Sequence, residues 1–104
     1  MNQDETPTPK QSGSYAIMQD ICEATMRALE AWRVLAEKTT IPELFWERVG
    51  AIERFQDRFG ELLHAVQSWS STPPDPQAKT RTIEGIIAAR TEATDWGARW
   101  GWSL

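Results

Sequence analysis

Residues 42–71 read PELFWERVGAIERFQDRFGELLHAVQSWSS, and within them Phe45, Val49, Ile52, Phe55, Phe59, Leu63 and Val66 recur every three or four positions. That spacing sets one apolar stripe on an α-helix on the order of 45 Å long, with Glu47, Glu53, Asp57 and Glu61 on its outer side. Such a stripe must be covered, so the flanking segments are read as its cover. Gly50 and Gly60 lie inside the helix and each cost about 1 kcal/mol relative to Ala. They mark positions where a close helix contact or a bend is expected.

Upstream, from about residue 14 to 38, Met18, Ile21, Cys22, Thr25, Ala28, Leu29, Trp32, Leu35 and Ala36 repeat at the same helical spacing. Glu23 with Arg27, and Arg33 with Glu37, stand four apart on its outside and add a few tenths of a kcal/mol at most, about 0.2–0.5 per pair. Thr40 and Glu43, around Pro42, read as a capping box at the start of the next helix. Downstream, SSTPPD at 70–75 is a stop and a turn, and Asp75 followed by Pro76 reads as an N-cap with proline at the first helical position. The third helix, about 76–100, carries Ala89, Ala93, Gly97 and Gly101 every four residues. That row leaves a shallow groove for an aromatic of helix one or two, or of a second subunit.

Short links force sequential helices to lie antiparallel, so the expected fold is all-α, an antiparallel three-helix bundle. It occupies 14–104 as a single domain. Residues 1–13, with two Thr-Pro pairs and no apolar periodicity, read as a disordered N-terminal tail. The 104-residue length, 40% apolar and 25% charged, suits one small globular domain for which association would add useful burial.

The charge distribution narrows the partner class. The net charge is −4 and arginines alternate with carboxylates along helix two, so no basic face for nucleic acid is expected. No leader and no apolar run long enough to span a bilayer is present, and a cytoplasmic location is expected. The lone Cys22, among Met18, Ile21, Thr25 and Leu29, reads as a buried thiol in a reducing compartment.

Catalytic templates fail on spacing. Glu61-Leu62-Leu63-His64 has the Glu-x-x-His spacing of carboxylate-bridged metal sites, and a dimer would supply its second half. The helical wheel turns Glu61 about 180° and His64 about 120° away from the Ile52 stripe, however, so a dimeric carboxylate-His metal bundle is only an alternative reading. Cys22 faces inward and His64 outward, which separates any Cys-His pair. With no Gly-rich phosphate loop and no zinc-type ligand cluster, neither catalytic residues nor a cofactor are expected.

The six tryptophans carry the functional expectation. Trp32 is central to its stripe and is core, while Trp69 lies at a stripe edge, about 100° from Ile52. Trp46 lies about 120° off and is expected to be exposed unless the end of helix one, the C-terminal segment or a partner covers it. Trp96 and Trp100 share a face that can line the small-residue groove. Gly101 is read as the helix end, which leaves Trp102 either as part of a lid over the bundle or as part of a docking segment. Arg90 falls within the third stripe and would be a buried charge unless it snorkels or meets a partner. Trp46, Trp96, Trp100 and Trp102 are therefore the candidate partner-binding residues.

The stretch AWRVLAEKTTIPEL at 31–44, followed by the helix with Phe55, Arg58 and Phe59, resembles phasins, small helical proteins that coat bacterial polyester storage granules. The resemblance covers about a third of the chain and implies amphipathic helices on an apolar granule surface, with no active site. The reading from the residues themselves is a small regulator, adaptor or inhibitor of bacterial or phage type. It would bind a protein partner, or itself as a homodimer, through tryptophan-bearing surfaces.

Overall fold

The computed structural model describes residues 9–104, with side chains from Tyr15 onward. Three helices follow one another, α1 (Pro9–Glu37), α2 (Pro42–Gln67) and α3 (Pro76–Trp100), with a single 3₁₀ turn (Ser68–Ser70) after α2. They form an all-α three-helix bundle around one apolar core. The long side of α1 lies along α2, α3 packs chiefly on α2, and α1 and α3 meet over much less of their length.

The core is built from the inner stripes. Cys22, Leu29, Trp32 and Ala36 of α1, Ile52, Phe55, Phe59, Leu62 and Val66 of α2, and Ile86, Ala89 and Ala93 of α3 are all buried. Thr25 is buried among them and returns its hydroxyl to the Ile21 carbonyl at 2.7 Å, so its polar atom is satisfied without leaving the apolar face. Outside the core, Arg33 of α1 bridges to Glu53 at 3.1 Å and to its own-helix Glu37 at 3.7 Å, and these half-exposed pairs set register more than stability. Glu23 accepts from Gln19 Nε2 at 3.1 Å.

Several boundaries differ from the sequence reading. Residues 1–8 of the expected tail lie outside the described residues, and α1 is described from Pro9 onward. The Thr40 to Glu43 capping box does not form. Pro42 opens α2, which makes the extended Ile41 the N-cap with no side-chain cap bond and shifts the box out of register. Asp75 does cap α3, accepting from the Ala78 N–H at 2.9 Å.

The stripes also need adjustment. Leu62 is buried and Leu63 only half-buried, and Leu35 is exposed because the buried α1 row through Trp32 and Ala36 lies about 100° around the helix from it. Trp69 is buried rather than at an edge, since it falls in the 3₁₀ turn, which winds about 120° per residue and swings the indole inward. Lys79 Nζ sits 5.7 Å from its ring centroid.

The glycines of α2 are not close contacts. A Cβ on Gly60 would meet nothing within 4 Å, and one on Gly50 only the end of Arg54. Gly97 of α3 is the crowded position: its Cβ would lie 2.5 Å from the Trp102 carbonyl oxygen and 2.6 and 2.7 Å from the Trp32 ring. Gly97→Ala is therefore expected to lower stability by about 1–3 kcal/mol through overpacking, whereas Gly60→Ala should raise it by up to about 1 kcal/mol. Urea unfolding of the two variants beside the parent checks the contrast, and equal midpoints would remove the steric argument.

Candidate functional site

The C-terminal end of α3 is a turn made by Gly101. Its φ of 80° lies in the left-handed region, which glycine adopts without strain. The Gly101 N–H then reaches the Ala98 carbonyl at 3.3 Å and the Trp102 N–H reaches the Gly97 carbonyl at 2.8 Å. This pair of bonds is a Schellman turn, and it folds the segment after Gly101 back over the helix end. The turn brings Trp102 onto Trp32, with ring centroids 6.0 Å apart.

Four tryptophans thereby form one stack. Trp100 meets Trp32 and Trp102 edge-on, at 5.8 and 5.3 Å, and Trp96 at a tilt, at 5.5 Å. The Trp32 indole N–H donates to the Ser103 carbonyl at 3.1 Å, so the core indole keeps its hydrogen bond by capturing the returning chain. Arg48 of α2 covers the stack, its guanidinium 5.0 Å from the Trp102 ring and 5.9 Å from the Trp100 ring, and donates from Nη1 to the Thr39 hydroxyl at 3.2 Å. Arg99 lies over Trp96 at 4.6 Å. These cation–π contacts add to the attachment of the segment.

Trp102 therefore has a place within the chain, the first of the two the sequence allows it. Trp96, Trp100 and Trp102 are each half-buried, the lid rather than a free docking segment. The groove of small residues is filled from within, its Gly97 end taking Trp32. Arg90 is exposed, not buried, because α1 does not close over that side of α3.

Trp46 behaves differently. It is 69% exposed, and its neighbour Phe45 meets it edge-on at 4.9 Å. Among the described residues, Val34, Leu35, Ile41 and Trp46 make up four of the six large apolar side chains left in water, and all belong to the end of the bundle where α1 turns into α2. Proline at 42 holds Ile41 extended, which turns its side chain out of the helix row. At this end an open groove of about 470 Å³ is lined by Leu35, Ile41, Leu44 and Trp102, with Lys38 and Arg48 at its polar edge; Trp46, two residues from both Leu44 and Arg48, points to the other side of α2. Sequence reasoning missed Arg48 and Ile41. The X-Pro step was the available signal for Ile41; for Arg48 there was none short of the three-dimensional register of α2 against the C-terminal turn.

The other candidates sort by burial. Glu61 and His64 both face solvent, and among the described residues no three His, Cys, Asp or Glu side chains come together as a metal site requires. Phe55 and Phe59 are core residues, so neither is free to lie on an apolar surface. Cys22 is fully buried, and its thiol is pushed up from the ordinary 9.0 to about 11 by burial, with the charge of Glu23 a smaller cause. Among the described residues no helix is long and apolar enough to cross a membrane. Comparison with known protein families, curated proteins and solved structures finds no match to this chain.

Two outcomes follow from this sorting. Trp102→Ala should lower stability by about 2 kcal/mol, since it removes half of a packed indole pair, while Trp46→Ala should change it by less than about 0.5 kcal/mol; calorimetric unfolding of both variants is the check. The raised thiol pKa also sets a pH window. The unfolded chain ionises Cys22 near 9.0, before the folded chain does near 11, so this group's contribution is complete below pH 9 and is lost as pH rises towards 11. The unfolding midpoint of the parent should thus fall more steeply than that of Cys22→Ala across that interval.

Proposed function

We propose that this chain is a non-catalytic helical interaction module, a small regulator, adaptor or inhibitor that docks on another protein through the α1–α2 end and also associates with itself. The observation that carries the reading is the exposed Trp46. An indole left in water forgoes burial worth roughly 2–3 kcal/mol, and such aromatic side chains dominate the energy of protein interfaces. The surrounding Lys38, Glu43 and Glu47 are exposed and supply a polar rim of mixed sign, as interfaces of this kind carry. At the same end of the bundle, Trp102 packed under Arg48 forms a fixed wall of the groove that also holds Leu35 and Ile41, so that apolar surface is formed before a partner arrives. The buried Cys22 thiol suits work in a reducing cytoplasm.

The experiment is affinity capture from the native cytoplasm with the parent chain and with Trp46→Ala, followed by titration of the purified partner. Trp46→Ala should bind at least about thirtyfold more weakly, the 2 kcal/mol expected of an anchoring tryptophan, with helicity unchanged. Equal affinity of the two chains would overturn the assignment of Trp46.

A further inference from the structure

The groove at the α1–α2 end carries charge of one sign only. Leu35, Ile41, Leu44 and Trp102 make its apolar surface, and Lys38 and Arg48 are the charged side chains that line it. Glu37, Glu43 and Glu47 are close in sequence but do not line it. The chain as a whole has a net charge of −4, so a purely cationic lining departs from its average. Both ion pairs among the described residues belong to Arg33, which leaves Lys38 and Arg48 without a carboxylate.

Arg48 is the more constrained of the two. It is half-buried, its guanidinium lies over the Trp102 and Trp100 rings, and the Thr39 hydroxyl is the one acceptor it meets among the described residues. Its Nε is shut off from water and has no acceptor. A cation held partly out of water by two indoles and one neutral hydroxyl is under-compensated. A carboxylate entering the groove offsets that deficit, because its hydrogen bonds to a guanidinium are stronger than those of a neutral acceptor. The tryptophan stack fixes Arg48 beforehand, so little freedom is lost when the charge arrives. Lys38 is exposed on a flexible stem and adds attraction rather than geometry.

The occupant of such a groove joins apolar groups to a lone negative charge. Nucleic acid and anionic membranes carry rows of charge, which an acidic chain repels beyond these two cations. Residues 1–8 of this chain contain Asp4 and Glu5 but span at most about 29 Å when fully extended. Leu35 lies about 39 Å along α1 from Pro9, so they do not reach the groove of their own chain. We propose that the groove takes a short apolar segment of a partner protein that carries one Asp or Glu, its aliphatic side chains against Leu35, Ile41 and Leu44 and its carboxylate between Lys38 and Arg48. The inference rests on the docking function proposed above and gives that function the chemistry of its partner.

Selection of displayed random peptides on the immobilised full chain, followed by titration of those recovered, tests it. The recovered peptides should share one Asp or Glu flanked by Leu, Ile or Phe, and replacing that acid by its amide should weaken binding about tenfold or more. Arg48→Gln should weaken binding of the acid peptides about tenfold and Lys38→Glu about threefold, the exposed cation counting for less, while the amide peptides should respond to neither. Because Arg48 also holds the tryptophan stack, circular dichroism and the unfolding midpoint accompany its variant, and the exposed Lys38→Glu carries the test if Arg48→Gln does not fold. Arg90→Glu makes the same change in net charge as Lys38→Glu at an exposed site on α3, and should leave affinity within about twofold. An equal loss there means attraction by overall charge and overturns the proposal. So does a selection that recovers no peptide, or acid peptides indifferent to both Lys38→Glu and Arg48→Gln. Tighter peptide binding by an Asp4→Asn, Glu5→Gln variant would put residues 1–8 of a second copy in the groove and overturn it too. Apolar peptides that lack an acid and weaken with Trp46→Ala would leave the docking function standing while this inference fails. Peptides indifferent to every change at that end would remove both.

Discussion

The wedge of Trp32 against the bare backbone of Gly97 is the contact on which the arrangement of α3 depends. An indole can lie on a helix backbone only where no Cβ intervenes, and α3 supplies that opening one turn before its own end. The same glycine offers its carbonyl to the Trp102 N–H, so the step that admits Trp32 also starts the turn that covers it. The covering segment then returns the Ser103 carbonyl to the Trp32 indole N–H. Each bond therefore presupposes the others, and the lid is part of the core rather than an appendage to it.

This interlock explains why the sequence predicts the elements better than the lid. Helical periodicity is local, and the three helices, the Asp75 cap, the Gly101 stop and the burial of Cys22, Trp32, Phe55 and Phe59 all follow from spacing along the chain. What failed was one step less local. The Thr40 to Glu43 box has the right residues, but Pro42 decides which residue is the N-cap, and a shift of one position disables it. Gly50 and Gly60 have the same composition signal as Gly97, yet only Gly97 lies opposite an indole, and nothing in a one-dimensional pattern ranks them. Trp102 follows the same logic: its distance of 70 residues from Trp32 along the chain hides a contact that a left-handed glycine makes simple.

The division among the six tryptophans is thus a consequence of where backbone turns place them. Trp32 and Trp69 are buried, the second by the tighter winding of a 3₁₀ turn. Trp96, Trp100 and Trp102 share their exposure, each half in water because a stack at a bundle end has only one side to bury. Trp46 remains because Phe45, its neighbour, takes the inward position of that turn, and two adjacent residues on a helix point about 100° apart.

A bundle whose first and third helices barely meet leaves apolar surface that a fully closed three-helix bundle would bury. Closing it within the chain would require α3 to move towards α1, but the Trp32 indole between α1 and Gly97 holds the two backbones apart at one end. The bulky wedge that fixes the lid therefore also keeps the α1/α3 face open. Trimming that wedge would let the helices approach at the cost of the stack, so the open face and the tryptophan lid are two results of one packing choice.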